Sequence, residues 1–108
     1  MKLFDDKIIY VENLPTLARI GHTTKSIQVH PRFGELSEEM KDFIILQLGF
    51  LLESKDDYFV ADKKALEKAT KLYPKKTKHF WIKNIENMLL SEAPDLDLTS
   101  KRIVNLCQ

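Results

Sequence analysis

Ten residues from Phe43 to Leu52, Phe-Ile-Ile-Leu-Gln-Leu-Gly-Phe-Leu-Leu, carry no charge and only one long polar side chain, Gln47. No other segment limits the fold as much. Ser37 before it is a good N-cap, and Glu38 and Glu39 suit the positive end of a helix dipole, so the stretch reads as a helix. Met40, Phe43, Ile44, Leu48 and Leu51 form one apolar stripe. Leu46, Phe50 and Leu52 add others, so the second half is apolar nearly all round. Such a helix is buried on most sides. Ten helical residues span about 15 Å, roughly half a bilayer core, which argues against a membrane segment. Gly49 costs about 1 kcal/mol against alanine in mid-helix, which predicts a packing reason for it.

Everything before this helix reads as strands. Lys7-Ile8-Ile9-Tyr10-Val11 is β-branched and aromatic, and Glu12-Asn13-Leu14-Pro15 ends it. Leu17-Ala18-Arg19-Ile20 reads as a short second strand or an irregular connection, and Gly21-His22-Thr23-Thr24 as a turn. Ser26-Ile27-Gln28-Val29-His30 alternates polar and apolar, as a half-buried strand does, and Pro31 closes it. Everything after reads as helices: about Val60 to Leu72, about Lys76 to Leu90, and a short last helix capped by Thr99 and carrying Ile103, Val104 and Leu106. Trp81, Ile82, Ile85, Met88 and Leu89 fall on the inner face of the third, and Pro94 breaks the chain before the fourth. Strands followed by helices predict an α+β fold, a small antiparallel or mixed sheet packed against three to four helices. At 108 residues this is a single domain, 1–108.

The composition excludes more than it assigns. The one cysteine, Cys107, makes no internal disulfide, and no histidine is placed by sequence to activate it. The N-terminus turns acidic at Asp5-Asp6 without an apolar signal core, so the expected location is cytoplasmic, with no membrane partner. No P-loop, dinucleotide fingerprint, C-x-x-C or nucleophile elbow is present. His22, His30 and His79 form no H-x-x-x-H pair. His22 and His30 lie eight apart near strand ends, where solvated or capping roles are far commoner than a shared metal.

The central helix and its flanks resemble small zincin-like metallopeptidases, of the ImmA/IrrE-like group and of phages and mobile elements. There an apolar lead-in precedes H-E-x-G-H, whose two histidines share a helix face and a Zn²⁺ while the glutamate acts as general base. In this chain the first histidine position is Leu46, the glutamate position Gln47 and the second histidine position Phe50, with Gly49 kept. Ile27-Gln28-Val29-His30-Pro31-Arg32-Phe33 matches the edge strand and proline turn before the family's helix, and Leu36-Ser37-Glu38-Glu39 matches its entry. Asp56-Asp57-Tyr58-Phe59-Val60-Ala61-Asp62-Lys63-Lys64-Ala65 matches the ligand-bearing segment, with Tyr58 at the third-ligand position. Pro94 and Lys101-Arg102-Ile103 resemble the closing helix. The resemblance implies a zincin-like fold, phage- or mobile-element-derived, from which catalysis is gone. Leucine and phenylalanine cannot ligate zinc, and a glutamine amide is no base at physiological pH. Hence the chain is expected not to be an enzyme, to hold no cofactor, and to serve as a pseudo-metallopeptidase that binds or regulates a protein partner.

Among the former-site positions, Gln47 reads as a buried amide satisfied by backbone or water. Leu46 and Phe50, four residues apart, are expected to plug the former cleft or to be ordinary core, which predicts the same burial. Asp57 and Asp62 read as a loop acid and an early-helix acid. A second expectation concerns charge. Lys63 to Lys83 holds eight lysines and one acid, Glu67, a local +7 in a chain of net +1. Lys64, Lys68, Lys71 and Lys75 fall at helical spacing as one basic stripe. Such a stripe is an alternative surface for nucleic acid, although solvated lysine faces are commoner and the segment lacks arginine.

Overall fold

The computed structural model describes the backbone over residues 3–92 and 96–108, and side chains over 3–86 and 97–108. Three strands, β1 (Ile8–Tyr10), β2 (Ala18–Gly21) and β3 (Ser26–Val29), precede four helices, α1 (Glu38–Glu53), α2 (Tyr58–Leu72), α3 (Lys78–Glu92) and α4 (Leu96–Cys107). The fold is α+β. Pro94 lies outside the described residues, as do the side chains of Met88 and Leu89.

The sheet is mixed, in the order β1-β3-β2, with β1 parallel and β2 antiparallel to β3. This corrects the expectation that the strand leading into the helix lies at an edge: β3 is central. Both hydrogen-bonding edges of β3 are paired, one with β1 and one with β2, and Ile27, Val29 and Ser26 are buried accordingly. Pro31 does not simply stop the strand; it opens a 3-10 turn, Pro31–Glu35, whose first free N–H, that of Arg32, is accepted by His30 Nδ1. That capping bond is what His30 does here.

α1 begins where its chemistry says it should. Ser37 Oγ accepts from the Met40 N–H, and two glutamates follow. Phe43, Ile44, Ile45 and Leu46 are all buried, so the core surrounds this helix. Gly49 has its packing reason: a Cβ there would stand 2.2 Å from the Phe4 ring. Phe4 adopts φ 74°, unusual for a bulky side chain, and packs edge-on to Phe50 at 5.2 Å. At its other end α1 closes with a Schellman-type bond, Asp56 N–H to the Leu51 carbonyl. Lys55 (φ 53°) and Asp56 (φ 67°) take the left-handed positions usually given to glycine.

A four-residue turn then returns the chain along α1 as α2. This helix starts two residues earlier than expected, because Asp57 is its N-cap: one carboxylate oxygen accepts from Phe59 and Val60 N–H. α3 starts at Lys78, with the Thr77 hydroxyl accepting from Phe80 N–H. Trp81 and Ile85 are enclosed as expected, and Trp81 stacks on Phe43 at 5.2 Å. α4 is longer than predicted. Thr99 is not its cap but a buried residue one turn in.

Candidate functional site

The sequence pattern of α4 sets up the site. Thr99, Arg102, Ile103 and Leu106 recur at helical spacing on the face turned to α2 and α3, and an arginine on such a face needs a carboxylate. Asp62 on α2 supplies it. Arg102 Nε donates to Asp62 Oδ2 and Nη2 to Oδ1, both at 2.8 Å, a bidentate pair. Asp62 is 1% exposed and the Arg102 side chain 13%. From α1, Gln47 Nε2 donates to the same Oδ1 at 3.0 Å. The Tyr58 ring covers the guanidinium, 4.6 Å from its central carbon. Three helices thus meet on one carboxylate.

Beside this cluster lies a partly enclosed cavity of about 140 Å³. Gln47, Tyr58, Asp62 and Arg102 form its polar side. Ile44, Leu48 and Leu51 of α1, together with Leu17 and Ala18 at the start of edge strand β2, form its apolar side.

Of the five former-site positions, the fold gathers three: Gln47, Tyr58 and Asp62. Leu46 and Phe50 are not in the lining, so they do not plug this cavity. α1 turns about 100° per residue, and the positions facing the cavity are Ile44, Gln47, Leu48 and Leu51. Leu46 is core, and Phe50 packs against Phe4 and under Lys64. Asp62 is an early-helix acid, fifth in α2, and the most enclosed charge described. The Gln47 amide nitrogen donates to a side chain, Asp62, rather than to backbone. Arg102 is the residue sequence reasoning missed. Its signal was present, as the one cation on the inward stripe of α4.

These residues do not fit a zinc ion. Leu46 and Phe50 have no donor atoms, and both Asp62 oxygens already accept from a cation whose charge repels a metal. Among the described residues no group of three or more His, Cys, Asp or Glu side chains is placed to hold a metal.

The lysine stripe is partly real. Lys64, Lys68 and Lys71 are exposed and, with Phe50 and Glu67, line one shallow depression. Lys71 Nζ lies 3.5 Å from Glu67. Lys75 does not extend the stripe, since α2 ends at Leu72 and Lys75 sits in the turn before α3. His22 faces Asp56 at 3.9 Å on the surface. Among the described residues no helix is long and apolar enough to cross a membrane.

Compared with protein-family models, with curated proteins and with solved structures, the chain matches none. What it is rests on its own fold and site: an α+β domain with a charge-neutral polar cluster walling a small cavity.

Proposed function

We propose that the chain is a non-catalytic, zincin-like module that binds a protein partner, with the cavity and the adjoining strand β2 as the binding region. One observation carries this reading. Asp62, the only carboxylate among the described residues that line the cavity, has both oxygens committed to Arg102 and Gln47, which leaves neither a metal ligand nor a general base. What remains is a shaped recess beside a sheet edge, and extended peptides recognise sheet edges by adding a strand. The zincin resemblance agrees with a peptide as the natural occupant, and a phage or mobile-element origin accompanies it.

Metal analysis with peptide titration tests the reading. Purified protein should retain no stoichiometric zinc through dialysis. Amide shifts on adding extended peptides should centre on Leu17, Ala18 and Tyr58. Zinc that is retained at one equivalent and lost on Asp62→Ala or Tyr58→Phe overturns it.

The shared depression of Lys64, Lys68 and Lys71 favours a second reading, nucleic-acid association. It requires complexes that weaken steeply with salt and that disappear on charge reversal of these three lysines. Absence of a low-salt gel shift removes it.

A further inference from the structure

The sheet has a second open edge, β1, on the side away from the cavity. Val11 N–H donates to the Val29 carbonyl, and Val29 stands opposite Tyr10 in the parallel register. In a parallel ladder the residues flanking the opposite one make its bonds, so Ile9 and Val11 turn their peptide groups toward β3. Ile8 and Tyr10 turn theirs outward. The Asp5 carbonyl takes the Ile8 N–H. The Ile8 carbonyl and both peptide groups of Tyr10 have no hydrogen-bond partner among the described residues. Tyr10 is 71% exposed and Ile9 41%. Edge strands are commonly blunted by a charge or a proline, and Ile8–Tyr10 carries neither.

Beside this edge an open recess of about 630 Å³ lies between β1 and α1. Ile8 and Tyr10 face it from the strand, on the same side of the sheet as buried Ile27 and Val29. Its charged groups are Asp5, Glu38 and Asp42 against one cation, Lys41, which already lies 2.7 Å from Glu38. Three carboxylates against one ammonium leave the recess two charges negative. Asp42, 8% exposed, is held in place by a hydrogen bond from the Tyr73 hydroxyl. A strand added to β1 sets the side chain opposite Tyr10 on this same face, toward the recess.

Charge selects among occupants. A second copy of the chain, pairing β1 with β1 antiparallel about Ile9, sets Asp6 opposite Glu12 and brings two acidic recesses together. Like charges oppose that pairing. They oppose an acidic partner in the same way, whereas a cationic segment is drawn in.

We propose that β1 is a docking edge for an extended basic segment of a partner protein. The segment pairs with the outward peptide groups of Ile8 and Tyr10 and lays an arginine or lysine in the recess against Asp5, Glu38 and Asp42. The site is separate from β2 and does not depend on what the cavity binds.

The test titrates the full, ¹⁵N-labelled chain with capped Val-Arg-Val-Arg-Val and with its glutamine and glutamate analogues. Alternate positions put both charges of each peptide on one face. The arginine peptide should shift the amides of Ile8, Tyr10 and Asp42 and slow hydrogen exchange at Tyr10. It should bind about tenfold tighter than the glutamine peptide, a gap that narrows with added salt. The glutamate peptide should not bind. Tyr10→Pro removes an outward N–H without touching a bond to β3, so it should abolish binding and leave the helix amides in place. Asp5→Asn with Glu38→Gln leaves Asp42 and Lys41 to cancel, and should bring the arginine and glutamine peptides level; it decides alone if Tyr10→Pro fails to fold. Equal binding of those two peptides to the native chain, binding retained by Tyr10→Pro, or no arginine-peptide binding overturns the proposal. So do shifts confined to Leu17, Ala18 and the cavity, which would instead support the protein-binding reading there.

Discussion

Arg102 and Asp62, 40 residues apart in the chain, meet through two 2.8 Å hydrogen bonds that tie α4 to α2. The two ends of this pair are not equivalent. Asp62 is enclosed, whereas Arg102 reaches solvent with part of its side chain.

That asymmetry predicts unequal costs. Arg102→Ala strands a buried carboxylate with only Gln47 for company and should cost about 3–5 kcal/mol in urea unfolding. Asp62→Ala leaves an arginine able to swing outward, so its cost should be smaller. Asp62→Leu combined with Arg102→Met should recover most of the loss, because two apolar side chains need no compensation. A double variant no more stable than Arg102→Ala would show that the pair itself holds α4 in place.

Gly49→Ala tests the contact with Phe4. Alanine favours a helix by about 1 kcal/mol, yet its Cβ would overlap the Phe4 ring at 2.2 Å. Overpacking wins, and a net loss of about 1–2 kcal/mol is expected. Thermal melts should show the loss, and Phe4→Ala in the same chain should shrink it by opening the space.

Lys55→Gly should stabilise the protein by about 1 kcal/mol. Its φ of 53° places Cβ in the unfavourable left-handed region at the end of α1, where glycine has no such cost. The measurement is the denaturant midpoint. A lower midpoint would mean that the added freedom of the unfolded chain outweighs the relieved strain.

Trp81→Phe should cost little for so enclosed a residue, about 1 kcal/mol from the volume removed. The indole N–H is buried without a hydrogen-bond partner among the described residues, so its removal forfeits no bond. Phe43→Ala, by contrast, removes the ring stacked on Trp81 and should cost about 3–5 kcal/mol. Equilibrium unfolding of the two variants ranks them directly.

Local chemistry made much of this readable in advance. Ser37 caps α1 because its hydroxyl reaches three residues along the chain, and the β-branched runs at Ile8 and Ile27 form strands because little else suits them. Asp57 was harder, since the same residue type serves as loop acid and as N-cap. The order of the strands was not readable, because which strand is central depends on which faces other elements cover. Of the site, Gln47, Tyr58 and Asp62 were singled out and do converge. Leu46 and Phe50 were singled out with them and do not, because a helix turns neighbouring positions about 100° apart.

The sequence by itself determined the element types, the burial of α1 and the absence of the residues a zinc protease needs, for these follow from side-chain chemistry and from spacings of a few residues. Only the tertiary structure decided that Asp62, an early-helix acid, is buried and paired with a cation. Its partner Arg102 lies on another helix, and no periodicity spans 40 residues to join them. It also decided that Gln47 of the first long helix donates to that same carboxylate at the edge of a cavity.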